Sequence, residues 1–171
     1  VIRWQHPRLG LLKPAAFIPM AEETGLIEMI TAKTLALALA QSRAWLDEGL
    51  ELPIALNLSH RSLRSEALVD QLARGLTRWQ VPARLLELEV GAAEITGNPD
   101  HARHVLRGLA ELGIAVSLDD DGAGEISLRS VRALPVRDFK LDPRHLRDLD
   151  DLPAVAQIVQ GTIELAHQLG L

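Results

Sequence analysis

Short runs of strand-forming residues alternate with longer amphipathic ones, and that order restricts the fold more than any other feature of the chain. Apolar residues at helical spacing (Ile27, Ile30, Leu35, Leu37, Leu39, Trp45) predict a helix over 26–46, stopped by Gly49. The run Pro53-Ile54-Ala55-Leu56-Asn57-Leu58 reads as a buried strand, and 65–79 is amphipathic again. Residues 85–90 read as a second strand. Asn98 and Pro99 make a helix start, an amide cap followed by a proline at the first helical position. That helix runs to Leu112 and closes at Gly113. A third strand follows at 114–118, then a short helix closing at 131–134, and a fourth strand within 136–141. The last helix spans 153–169 and ends at Gly170. Strands recurring about every 20 to 30 residues with helices between them are parallel, because an antiparallel pair needs only a tight turn.

Two architectures satisfy that pattern, a doubly wound sheet and a (β/α)₈ barrel. A glycine-rich phosphate loop after a strand favours the first, and none is present. The lone Gly122-Ala123-Gly124 follows acidic residues, which is poor phosphate chemistry. The barrel is therefore the expected class. Its active residues sit at the C-terminal ends of strands, close in space though distant in sequence. Here those ends carry Asn57, Glu89, Asp119 with Asp120 and Asp121, and Lys140. The intervals Asn57 to Glu89, Glu89 to Asp119 and Asp119 to Lys140 are 32, 30 and 21 residues, each about one strand–helix unit.

An amide, several carboxylates and an ammonium at one barrel mouth make a hard-cation site of the kind Mg²⁺ or Mn²⁺ occupies beside phosphates. Crowded carboxylates repel unless a cation or a proton intervenes. Each residue has a plainer reading: Asn57 as a cap, Asp119-Asp120-Asp121-Gly122 as an acidic turn, Lys140 as a surface charge. Their recurrence at successive strand ends is what favours the site. Glu87 and Glu89 share one strand face, opposite Leu86, Leu88 and Val90, so both need partners. His101 and His104 are also at metal spacing. They lack a third ligand nearby and sit with Arg103 and Arg107, so they read as a solvated face; so do Arg61, Arg64, Arg74 and Arg78.

Composition closes off other classes. With 47% apolar residues the chain is neither disordered nor, lacking a long apolar run, a membrane span. A net charge of −5, no Tyr and few aromatics argue against nucleic acid as a partner. No cysteine is available as a nucleophile or zinc ligand. The chain has 15 Arg but three Lys (Lys13, Lys33, Lys140), so a lysine at a strand end stands out.

The residues Ile2-Arg3-Trp4-Gln5-His6-Pro7, Gly10-Leu11-Leu12 and Phe17-Ile18-Pro19-Met20-Ala21-Glu22-Glu23-Thr24-Gly25-Leu26-Ile27 resemble the start of EAL domains. Asn57-Leu58-Ser59, Leu86-Glu87-Leu88-Glu89-Val90, Leu118-Asp119-Asp120, Leu134-Pro135-Val136, Lys140-Leu141-Asp142 and Leu165-Ala166-His167-Gln168-Leu169-Gly170-Leu171 continue the resemblance in order. EAL domains are bacterial cyclic-di-GMP phosphodiesterases built on a modified (β/α)₈ barrel. The resemblance implies that Asn57, Glu89 and Asp119 are ligands to Mg²⁺ or Mn²⁺ and that Asp120 serves a second metal. It further implies that Lys140 contacts the catalytic water and that Arg3 holds a phosphate of cyclic-di-GMP. In the family the metals activate a water that opens one phosphodiester to give pGpG. A bacterial cytoplasmic setting follows from the same resemblance, in a parent protein that is free to be membrane-tethered.

The chain also departs from the family. Gly91-Ala92 stands where the family has Thr-Glu, which removes a loop-anchoring glutamate. The loop D-D-F-G-T-G reads Asp119-Asp120-Asp121-Gly122-Ala123-Gly124, and the following Y-S reads Glu125-Ile126. That loop gates metal binding and dimerisation in the family. The glutamate of the E-A-L signature would precede Val1, and the E-G-V-E segment would follow Leu171. The expectation is a partial EAL domain over 1–171 with about five of the eight strand positions, one of them counted at residues 1–4. It is expected to be inactive or regulatory. Two alternatives stand beside hydrolysis: a cyclic-di-GMP receptor that does not cut, and a protein-interaction module without ligand. Homo-oligomers or partner domains are expected, because exposed strand edges favour self-association.

Overall fold

A computed structural model describes residues 2–91, 95, 98–119, 134–141, 146 and 153–171. The elements are β1 (Trp4–His6), β2 (Gly10–Leu12), α1 (Ile18–Thr24), α2 (Ile27–Asp47), β3 (Ile54–Leu58) and α3 (His60–Leu63). They continue with α4 (Leu68–Trp79), β4 (Leu86–Gly91), α5 (Pro99–Glu111), β5 (Ala115–Asp119), β6 (Asp138–Lys140) and α6 (Pro153–Leu169). The expected helix at 131–134 lies almost wholly outside the described residues, as do Asp120 to Ile126 and Asp142.

The expected parallel sheet is present, with strand order β3-β4-β5-β6 and every neighbouring pair parallel. The strand counted at residues 1–4 is not part of it. Trp4–His6 instead pairs antiparallel with Gly10–Leu12 in a separate hairpin. The local chemistry explains the difference. The His6 Nδ1 accepts the backbone N–H groups of Arg8 and Leu9, each at 3.1 Å, and Gly10 turns back at φ +72°. That turn pairs Trp4–His6 with the residues that follow it, in a two-stranded hairpin apart from the parallel sheet.

One face of the sheet is apolar. Leu56, Leu88 and Val116 form one row across it; Leu58, Val90, Leu118 and Phe139 form the next. The core packs on this face. From α4 it receives Leu68, Leu72 and Leu76, at four-residue intervals, and from α5 Ala102, Val105, Leu106 and Leu109. Each such leucine, moved from water to the interior, contributes about 2 kcal/mol. Asn98 caps α5 as expected, its side-chain oxygen accepting the His101 N–H at 3.4 Å. Glycine lets the helices close in: a Cβ on Gly108 of α5 would stand 3.0 Å from Val69 of α4, and one on Gly75 of α4 would stand 2.9 Å from Leu39 of α2. Leu37 falls outside the buried stripe of α2: it is exposed while Leu35 and Leu39, one turn apart, are buried. Among the described residues no helix is long and apolar enough to cross a membrane.

Candidate functional site

Period-two geometry turns the alternate residues of the same strands to the other face. In register across it lie Asn57 of β3, Glu89 of β4, Ser117 of β5 and Asp138 of β6. Two residues further along stand Gly91, Asp119 and Lys140, and two residues before stand Ala55, Glu87 and Ala115. The parallel register therefore gathers side chains that the sequence spreads over more than eighty residues. Asn57, Glu89, Gly91 and Asp119 line a cavity of about 650 Å³ that Leu56, Leu58 and Leu88 of the apolar face, Leu68 and Leu72 of α4 and Ile2 of the N-terminal segment line as well.

Lys140 sits at the centre of the charges. Its ammonium is hydrogen-bonded to the Glu89 carboxylate and lies 3.2 Å from Glu87 Oε1. Glu87 is also held by the Ser117 hydroxyl, which donates to it, and by Arg137 Nη2 at 2.7 Å. Arg137 Nε in turn binds Asp138 at 2.7 Å. The side chains of Glu87 and Glu89 are 14% and 17% exposed, so these carboxylates are mostly withdrawn from water and rely on their partners. Burial pushes the Glu87 carboxyl up, but the hydrogen bonds from Ser117 and Lys140 and the charges of Lys140 and Arg137 together hold it below the ordinary range. Burial pushes Lys140 down, and Glu89 and Glu87 more than reverse that, so its ammonium is held above its ordinary range. Arg137 is raised chiefly by its bond to Asp138.

Asn57, Glu89, Asp119 and Lys140 thus come together as the strand ends predict. Arg3 lies just before β1, exposed, and donates to the Ile2 carbonyl at 2.9 Å. Its chain neighbour Ile2 brings that segment to the cavity. Asp120 lies outside the described residues. The donors Asn57, Glu89 and Asp119 are all oxygen, which suits a hard cation such as Mg²⁺ or Mn²⁺. Among the described residues no three of His, Cys, Asp and Glu form a metal cluster, so the amide of Asn57 would have to serve as one of the ligands. The solvated-face reading holds for His104, which is exposed. It fails for His101, whose Nε2 is buried without a hydrogen-bond partner. Ser117 and Arg137 were not visible as site residues in the sequence. Ser117 shares the parity of Asp119 on one strand, and that was the available signal.

The family model described as EAL domain matches residues 1–171. The signaling protein YkoW of Bacillus subtilis is 37% identical over 171 residues, which is 100% of this chain and 21% of YkoW. The cyclic di-GMP phosphodiesterase PA2567 of Pseudomonas aeruginosa is 32% identical over 170 residues, 99% of this chain and 29% of that protein. The chain therefore spans less than a third of the length of these curated relatives. The solved structure of the PaMucR phosphodiesterase in complex with c-di-GMP matches with a TM-score of 0.93 at 35% identity, covering 99% of this chain and 69% of that one.

Proposed function

This chain belongs to the EAL domain family, and from that premise we propose that it binds cyclic di-GMP at the C-terminal mouth of its parallel sheet without cutting it. The observation that carries the reading is the union of Asn57, Glu89 and Asp119 on one cavity with the Lys140 ammonium bonded to Glu89. The cavity is of a size that takes a small ligand. Asn57, Glu89 and Asp119 would hold Mg²⁺ or Mn²⁺, with Asp120 beside a second ion, and Arg3 would bind a phosphate. A bound ion supplies charge to the phosphate oxygens and lowers the pKa of a coordinated water. Lys140, as a fixed cation, orients and stabilises anionic oxygen.

Two features support binding over cleavage. Gly91-Ala92 stands where the family has Thr-Glu, and Asp121 adds a third acidic residue next to Asp119 and Asp120 in the sequence. Lys140 already neutralises part of the Glu89 charge that a metal would otherwise use. Hydrolysis is the second reading, favoured by retention of the oxygen donors in register. One experiment separates them: calorimetric titration of the 171-residue chain with cyclic di-GMP and Mn²⁺, followed by chromatography for pGpG. Binding with no pGpG is the expected result. Metal-dependent turnover selects the second reading, and no heat of binding removes both. A bacterial cytoplasmic setting belongs to the same reading. So does self-association through the outer edge of β3, which no described strand pairs, and a light-scattering mass of one chain contradicts it.

A further inference from the structure

We propose that Glu87 is a positioning residue that acts through Lys140, holding its ammonium beside Glu89 and setting how strongly Lys140 competes with a cation for that carboxylate. The competition rests on the cation reading given above; the placement of Lys140 does not. Glu87 and Glu89 stand two residues apart on β4 with side chains on the same face, about 7 Å apart along the strand. An ammonium carries three donors and no acceptor, so one lysine can serve both carboxylates at once. Lys140 does so, bonded to Glu89 and 3.2 Å from Glu87.

The two acceptors are not equivalent. Glu87 is pinned from two further sides, by the Ser117 hydroxyl and by Arg137, and Ser117 is itself fully buried. Glu89 instead points into the cavity that Asn57 and Asp119 share. When Glu89 turns to a cation, Lys140 keeps a fixed, charged acceptor in Glu87 and need not be desolvated without a partner. Without the Glu87 charge, Glu89 is the remaining carboxylate of the pair, and the ammonium then opposes the incoming ion directly. Arg137 and Ser117 belong to the device because they keep Glu87 in place.

The test uses Mn²⁺ alone as the probe, titrated calorimetrically into the 171-residue chain and its variants. Glu87→Gln keeps the shape and removes the charge. Its loss also weakens the local negative potential, so the comparison is made with and without the lysine. Glu87→Gln is expected to raise the Mn²⁺ Kd roughly fivefold to tenfold in the native background and about twofold or less beside Lys140→Met. An equal loss in both backgrounds overturns the proposal, since Glu87 would then act only as a distant charge. Ser117→Ala, which loosens Glu87 while keeping both charges, is expected to give part of the native-background loss, and guards against misfolding of the Gln variant.

A second measurement needs no metal. Only three lysines are present, and Lys13 and Lys33 are exposed. In ¹⁵N-detected spectra of lysine ammonium groups, exposed amines exchange with water too fast to give sharp signals. One persistent signal, lost in Lys140→Met and shifted or broadened in Glu87→Gln, is expected. No persistent signal in the native chain, or one indifferent to Glu87→Gln, overturns the placement. If Mn²⁺ fails to bind the native chain, the cation reading falls and with it the competition. The positioning of Lys140 by Glu87 is then decided by the ammonium signal.

Discussion

The same strands build both faces of the parallel sheet, yet the faces use them differently. On one, Leu58, Val90, Leu118 and Phe139 lie in a row under α4 and α5, and stability comes from many small, non-directional contacts. On the other, Asn57, Glu89 and Ser117 lie in the matching row, with Asp119 and Lys140 beyond. There each group depends on a particular partner at a particular distance. The apolar face fixes the register and the polar face uses it. Leucine rows tolerate small shifts, whereas a bond such as Glu87 to Arg137 at 2.7 Å does not.

The largest expected effect tests whether the faces are separable. Leu118 is fully buried, so Leu118→Ala is expected to cost about 3 kcal/mol in urea unfolding. Its Mn²⁺ affinity, measured on the folded protein, is expected to stay near native; a parallel fall in affinity would merge the two faces into one unit. A smaller loss is expected on the polar face. Ser117→Ala leaves Glu87 one donor short and is expected to cost about 1 kcal/mol in the same unfolding measurement. Stability near native combined with weakened Mn²⁺ binding sharpens the contrast.

The smallest effect is in pH. The Glu87 carboxyl is held below its ordinary value, so its stabilisation is complete above that value and fades as pH falls through the folded one. Lys140 is held above its ordinary value, so its share is complete below that value and fades as pH rises through the folded one. Unfolding curves across pH are expected to show a plateau between these limits and shallow shoulders outside it. Both shoulders should be much smaller than the leucine effect, because 39% of the Lys140 side chain meets solvent, which screens its charge. In Glu87→Gln the acid shoulder should shrink; an unchanged shoulder assigns it to other carboxylates.

Much of this was legible in the sequence. The alternation of strand-like and helical runs predicts the parallel sheet, and Asn98-Pro99 predicts the start of α5, because these signals are local. The placement of Asn57, Glu89, Asp119 and Lys140 on one face of the sheet was also legible, since a strand end is a position that sequence can mark. The partners of Glu87 were not. Ser117 and Arg137 lie 30 and 50 residues from it and become its neighbours only through strand register. The hairpin at Trp4–His6 was missed for the opposite reason. The turn held by the His6 ring gives Trp4–His6 a partner in the residues that follow it, which the strand reading of residues 1–4 does not specify. His101 was misread because charged neighbours on a helix do not reveal what a neighbouring element covers.

The strict parity of β4 bears on how this gene can change over time. A codon lost or gained between Leu86 and Val90 would put the residues on one side of it out of phase with those on the other, so that no single register keeps the glutamates on one face and the apolar residues on the other. Loss of two codons would preserve the alternation and shorten the strand by about 7 Å. Length variation inside this strand should therefore be filtered in even steps, while loops elsewhere accept any whole number of codons.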